Sequence, residues 1–259
     1  ALPLQAAPDA NEFLKAGKFV EGILALEAHL AVQPKDDVAR FGLGITRFVQ
    51  STAELGQKLS VYGVLAPNNR DIHPMFPSPP KPDEPLTYSR LREILAEWVA
   101  DLNRVDATLK MIESEDVKLP INVGSIPLSL GTGATPLTLL PVLRGFRIGP
   151  AGQEADFAIA FDRADVDWLR GYVHLLLTIG EIGLAYDGQG LFDVVAHRVF
   201  KYTKVPHEFL TEPSRDTNRR WFDFEEIADW VAAIHMLRFP LVEPQRMTAA
   251  LAIWNRRSG

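Results

Sequence analysis

The sequence predicts a mainly α protein, with helical hairpins packed on a C-terminal helical domain that carries a small β or irregular insertion. Three observations carry this. The first seventy residues repeat with a period of 34, the spacing of a helical-hairpin array. Leu91, Leu95, Trp98, Leu102, Val105, Leu109 and Ile112 alternate at spacings of four and three. Residues 163–186 form an apolar stretch preceded by a helix cap, Asp162, with Asp165 three residues on. The composition fits a folded chain: 47% of the 259 residues are hydrophobic and 23% charged. A net charge of −6 gives no general electrostatic case for nucleic acid. The absence of cysteine removes disulfides, thiolate metal sites and a cysteine nucleophile.

In the first segment, residues 1–70, Gly22 recurs as Gly56, Ala10 as Gly44 and Leu30 as Val64. Gly17 to Asp36 places Phe19 at an aromatic position, Gly22 at a small one, Leu26 at a bulky one and Pro34 at a closing one; Leu43-Gly44 follows. In these positions residues 3–68 resemble tetratricopeptide-repeat helical hairpins. Arg40, Arg47, Ser60 and His29 depart from the family pattern. The resemblance implies a concave surface for a protein or peptide partner, here around Phe13, Arg40 and Arg47. Two repeats are fewer than the roughly three that stand alone, so they must lean on the rest of the chain.

Residues 71–86 read as a stiff strap, with Pro74, Pro77, Pro79, Pro80, Pro82 and Pro85. The helix 87–114 is expected to pack along the repeats; its seam offers a homodimer as the alternative. Residues 119–153 are rich in Gly and Pro, and 119–143 carry no charge. Short strands are expected at 121–128 and 157–161, and an apolar pocket for a lipophilic ligand is one reading of this segment. Helices are then expected at 163–186, 191–202, 223–237 and 244–256, the last presenting Met247, Leu251 and Trp254 on one side. No stretch reads as a transmembrane helix, because Arg170, His174 and Glu181 interrupt 168–186 and prolines break 119–143.

The helix 163–186 is apolar nearly all round and is therefore expected to be buried. One stripe is polar: Asp167, Arg170, His174, Thr178 and Glu181. Buried ionisable groups need partners. The stripe is either an ion-pair network docking this helix or a polar site. In a site, His174 and Glu181 would hold a divalent metal or move a proton while Arg170 holds an anion. Asp193 and His197, four apart on the next helix, are a second candidate. A hairpin across 187–190 would let His174, Glu181 and His197 converge as metal ligands. His207 and His235 read as a loop and a core histidine. Gly131-Thr-Gly133 and the basic group Arg215, Arg219 and Arg220 near Trp221 read as a turn and a solvated loop.

The expected function is a non-catalytic binding or scaffold protein with a protein or peptide partner and no cofactor. The alternatives are a metal-binding protein or enzyme and an apolar-ligand carrier. The Ala1-Leu-Pro-Leu opening is what signal peptidase leaves, so an exported, periplasmic or secreted protein is expected.

Overall fold

A computed structural model describes residues 7–64, 80–128, 137–138, 158–206, 231, 234–235 and 237–255. The first hairpin follows from its caps. Asp9 accepts a hydrogen bond from Asn11 N–H and opens α1 (Ala10–Lys15). Gly17, at φ 67°, reverses the chain in a conformation that costs other residues strain. Helix α2 (Phe19–Val32) then lies so close to α1 that a Cβ on Gly22 would sit 2.8 Å from Phe13 Cβ. Gly22 therefore occupies a position where only a hydrogen fits, as its small-residue spacing predicts.

Asp36 caps α3 (Asp37–Ser60) by accepting from Ala39 N–H at 3.0 Å and also meets His29 Nε2 at 2.8 Å. Helix α3 is a single helix of 24 residues. A second helix-turn-helix would need a break near its middle. No proline or turn-forming pair stands there, and the helix runs on.

Beyond Pro80, Leu86 is fully buried and exchanges backbone hydrogen bonds with Tyr202 and Lys204. Thr87 caps α4 (Tyr88–Leu109), which packs between α3 and the later helix α5 (Arg163–Ala185). One glycine on each neighbour admits it. Gly180 on α5 lies where a Cβ would be 2.5 Å from Val99, and Gly44 on α3 is covered directly by Leu109. The apolar seam of α4 thus points into the protein: Val99, Leu102, Val105 and Leu109 are all buried. The homodimer expected as an alternative for helix 87–114 has lost this surface to intramolecular packing.

Among the described residues, the small β component comprises two antiparallel two-stranded sheets. Strand β1 (Leu119–Asn122) pairs with β4 (Ala158–Phe161), Ile121 opposite Ile159. Strand β2 (Pro127–Leu128) pairs with β3 (Leu137–Thr138). Most of the 119–153 insertion, the strap up to Pro79 and residues 207–230 lie outside the described residues, and with them Arg215, Arg219, Arg220 and His207.

Asp162 and Asp165 cap α5 reciprocally, each side chain meeting the other's backbone N–H end of the turn. Helices α6 (Gln189–Val199) and α7 (Pro244–Asn255) follow. One cluster of buried side chains joins Leu14 of α1, Phe41 of α3, Leu102 and Leu109 of α4, Ile121 of β1, Val173 and Leu177 of α5 and Ile253 of α7. On α7, Ala250 and Ile253 face the core, and the side carrying Leu251 and Trp254 faces out. One expectation inverts. His235, expected in the core, is exposed.

The glycine contacts yield a paired test. Gly44→Ala places a methyl into Leu109, which is 1% exposed and boxed in by the core. Overpacking of this kind costs about 1–3 kcal/mol, more than the roughly 1 kcal/mol that alanine returns in helix propensity. Among the described residues, nothing lies within 4 Å of where a Cβ on Gly183 of α5 would stand. Gly183→Ala is therefore expected to stabilise by about 0.5–1 kcal/mol in the same urea titration.

Candidate functional site

Beyond the exposed Asp167, the polar stripe of α5 turns inward alongside Val166, Leu169, Val173, Leu177 and Leu184, and part of the apolar surface faces out. His174, Thr178 and Glu181 are buried, whereas Trp168, Tyr172, Leu175, Ile179 and Ile182 are exposed. Partners on neighbouring helices explain the inward turn. Arg170 Nε donates to Asp106 Oδ1 of α4 at 3.1 Å. His174 Nε2 lies 2.9 Å from the same oxygen without the alignment that a ring N–H needs for a hydrogen bond. The Thr178 hydroxyl donates back to the His174 carbonyl. Seven residues on, Glu181 is held elsewhere: Arg246 of α7 meets it at 2.9 Å.

Arg246 also grips Glu243 at 2.6 Å, and this hydrogen bond holds the Glu243 carboxyl below the usual carboxylate range. Arg92 of α4 reaches Glu243 as well and donates to the carbonyls of Leu184 and Tyr186. It thereby satisfies the end of α5 with a cation where the helix dipole is negative. Arg170 and His174 do share a site, as their spacing predicts, but the carboxylate between them is Asp106. That residue was absent from the candidates read along the sequence. Its signal was positional: it stands four after Leu102 and three before Leu109, on the seam side of α4.

The other predicted ligands do not join them. Asp193 accepts from its neighbour Gln189 at 2.6 Å. His197 is pushed below its ordinary pKa by burial and then by the charge of Arg198, and its buried Nδ1 has no hydrogen-bond partner among the described residues. Among the described residues, no group of three or more His, Asp and Glu side chains is placed to hold a metal. Within the stripe, Arg170 and His174 meet Asp106 of α4, Glu181 meets Arg246 of α7, and Asp167 pairs with Arg163 of its own helix.

The three residues predicted to face a partner separate. Phe13 is half-buried against Gly22 inside the first hairpin. Arg40 is 8% exposed, donating to the Pro34 carbonyl and lying 3.5 Å from Met111 Sδ. Arg47 bridges Glu27 of α2 and Thr108 of α4. These contacts arise because α4 fills the position beside α3 that a next repeat would take. Phe13 thus serves packing inside the first hairpin, while Arg40 and Arg47 both line an open region beside α3.

That region is a groove. Helix α3 forms its floor, and α2 and α4 form its walls. One part, about 200 Å³, is lined by Ile23, Glu27, Arg47, Gln50, Ser51, Glu54, Asp101 and Arg104. An adjoining part of about 410 Å³ shares Glu27, Arg47 and Arg104 and adds Leu30, Leu43 and Met111. The groove is thus polar at one end, apolar at the other and crossed by ion pairs in the middle. Arg104 pairs with Asp101, and Lys58 holds Glu54 at 3.8 Å and Glu97 at 2.8 Å. Among the described residues, no helix is long and apolar enough to cross a membrane. Compared with family models, curated proteins and solved structures, the chain finds no match.

Proposed function

We propose that this protein is a non-catalytic binding protein that takes a segment of a protein or peptide partner in the groove between α2 and α4. The groove over α3 is the observation that supports this reading. It joins an apolar end at Leu30, Leu43 and Met111 to a polar end at Gln50 and Glu54. Such a surface matches a segment with an apolar anchor followed by polar or basic residues. The ion pairs that cross it lie near the surface and are worth little each, so a partner's charges can replace them at low cost. The resemblance to tetratricopeptide hairpins points to the same face.

The test starts from the whole chain, immobilised and screened against a displayed peptide library. The enriched peptides are then titrated against the wild type and a double variant, Glu54→Arg with Met111→Glu. Met111 is 59% exposed, and Glu54 pairs only with neighbouring surface side chains, so the fold survives both changes. Affinity is expected to fall at least tenfold, about 1.4 kcal/mol. Unchanged binding to the double variant, or no enrichment over an unrelated acidic protein, overturns the proposal.

A further inference from the structure

The outward face of α5 is an apolar stripe with no charge. Trp168, Tyr172, Leu175, Ile179 and Ile182 are 68, 41, 36, 58 and 40% exposed. They recur at spacings of four, three, four and three, which keeps all five on one side over about 21 Å of helix. Large apolar side chains lined up this way mark an interaction surface. Trp168 and Tyr172 are stacked with centroids 5.7 Å apart, and Phe48 of α3 braces Tyr172 edge-on at 6.0 Å. The aromatic end is therefore pre-arranged, so little side-chain freedom remains to be lost on binding.

We infer that this face pairs with the same face of a second copy, the two α5 helices antiparallel about a two-fold axis at Leu175. The sequence of the stripe is complementary to its own reverse. Trp168 is seven residues before Leu175 and Ile182 seven after, so the axis sets each Trp168 against an Ile182. Tyr172, three before, meets Ile179, four after. Every bulky ring thus faces a branched aliphatic side chain, and Leu175 faces itself. The antiparallel sense also puts the capped, acidic N-terminus of each helix beside the C-terminal end of the other.

The alternative occupant, a lipid surface, fits less well. Helices that lie on membranes flank their apolar face with lysine and arginine. Between Trp168 and Gly183, every exposed residue of α5 is apolar or glycine, and the chain carries a net charge of −6. The area also sets the strength. The five side chains expose on the order of 500 Å², taking about 150–250 Å² for each large side chain when fully exposed. Two copies then bury about 1,000 Å², the lower limit for a specific interface. The dimer is accordingly weak and dependent on concentration.

Sedimentation velocity of the full chain from micromolar to submillimolar concentration is expected to show a shift from monomer to dimer. Leu175→Glu, which sets two carboxylates face to face on the axis, keeps the chain monomeric with an unchanged far-UV spectrum. The chain has no cysteine, so single cysteines report the geometry directly. Leu175→Cys is expected to cross-link to itself on oxidation. Trp168→Cys alone is not, because its two copies lie about 21 Å apart along the axis, beyond disulfide reach. A mixture of Trp168→Cys and Ile182→Cys cross-links. A wild type that stays monomeric throughout overturns the inference. So does a Leu175→Glu variant that dimerises like the wild type, self-cross-linking of Trp168→Cys, or a stripe that Leu175→Glu shows to be needed only for binding to phosphatidylcholine vesicles.

Discussion

Asp106→Ala is expected to lower the unfolding free energy by about 3 kcal/mol, the lower part of the range for breaking a buried ion pair. Asp106 is 8% exposed and is the shared carboxylate of Arg170 and His174. Its removal leaves a guanidinium and an imidazole facing each other across the α4–α5 contact. His174 cannot escape, since its side chain is only 9% exposed. Arg170, a quarter exposed, recovers part of its hydration, which places the cost at the lower end. A triple variant separates a structural network from a ligand site. In Asp106→Leu, Arg170→Met, His174→Leu, no charge is stranded and the volume is kept. Buried ion networks replaced in this way lose little stability. The triple variant is therefore expected to unfold within about 1 kcal/mol of the wild type. Chemical denaturation of the three proteins measures this. A single variant as stable as the wild type, or a triple variant as damaged as the single one, is inconsistent with a network whose role is docking.

The local signals in the sequence carried through because their physics is local. Asp162 and Asp165 form the expected reciprocal cap, since both partners lie within one turn. Gly22 admits Phe13 because a hairpin with so short a turn forces its two helices together. What the sequence left open was decided by distant partners. The stripe Arg170, His174 and Glu181 was legible as something that must be paired. Whether it pairs inward or lies on the surface depends on Asp106 and Arg246, which are 64 and 65 residues from their partners Arg170 and Glu181. With those partners in place, burying the polar stripe costs less than its composition suggests, and the apolar residues on the far side of α5 are left outside.

The repeat pattern left the course of α3 open for a related reason. A period of 34 encodes which residues are small and which are bulky, but a hairpin also needs a break. Residues 45–55 offer none, so α3 continues as one helix and the position beside it is taken by α4. A hairpin plus one long helix against α4 leaves α3 as a floor between two walls, which is the groove over α3. Of the residues read from the sequence as a partner surface, Arg40 lines one part of this groove and Arg47 both parts.

Phe41→Ala tests whether this N-terminal part and the later helices fold together. Phe41 is 1% exposed and packs edge-on against Phe161 at the end of β4, with ring centroids 6.5 Å apart. It belongs to the same buried cluster as Leu14 of α1, Val105 of α4 and Val166 of α5. Truncating a buried phenylalanine costs about 3–5 kcal/mol, from lost transfer energy and from the cavity left behind. Relaxation around Phe41 is limited because the buried cluster it belongs to draws on α1, α4, α5, β1 and α7, which would all have to adjust. The larger part of that range is therefore expected. Since two repeat-like helices cannot bury their own faces, the loss should lower one shared transition. Helical signal and tryptophan fluorescence are informative together, because Trp98 and Trp168 lie on α4 and α5, outside the N-terminal helices. Both probes are expected to shift to lower denaturant by the same amount, with coincident midpoints. A variant in which fluorescence keeps its wild-type midpoint while part of the helical signal melts early would instead mean that α1–α3 unfold alone, with a core separate from that of α4 and α5.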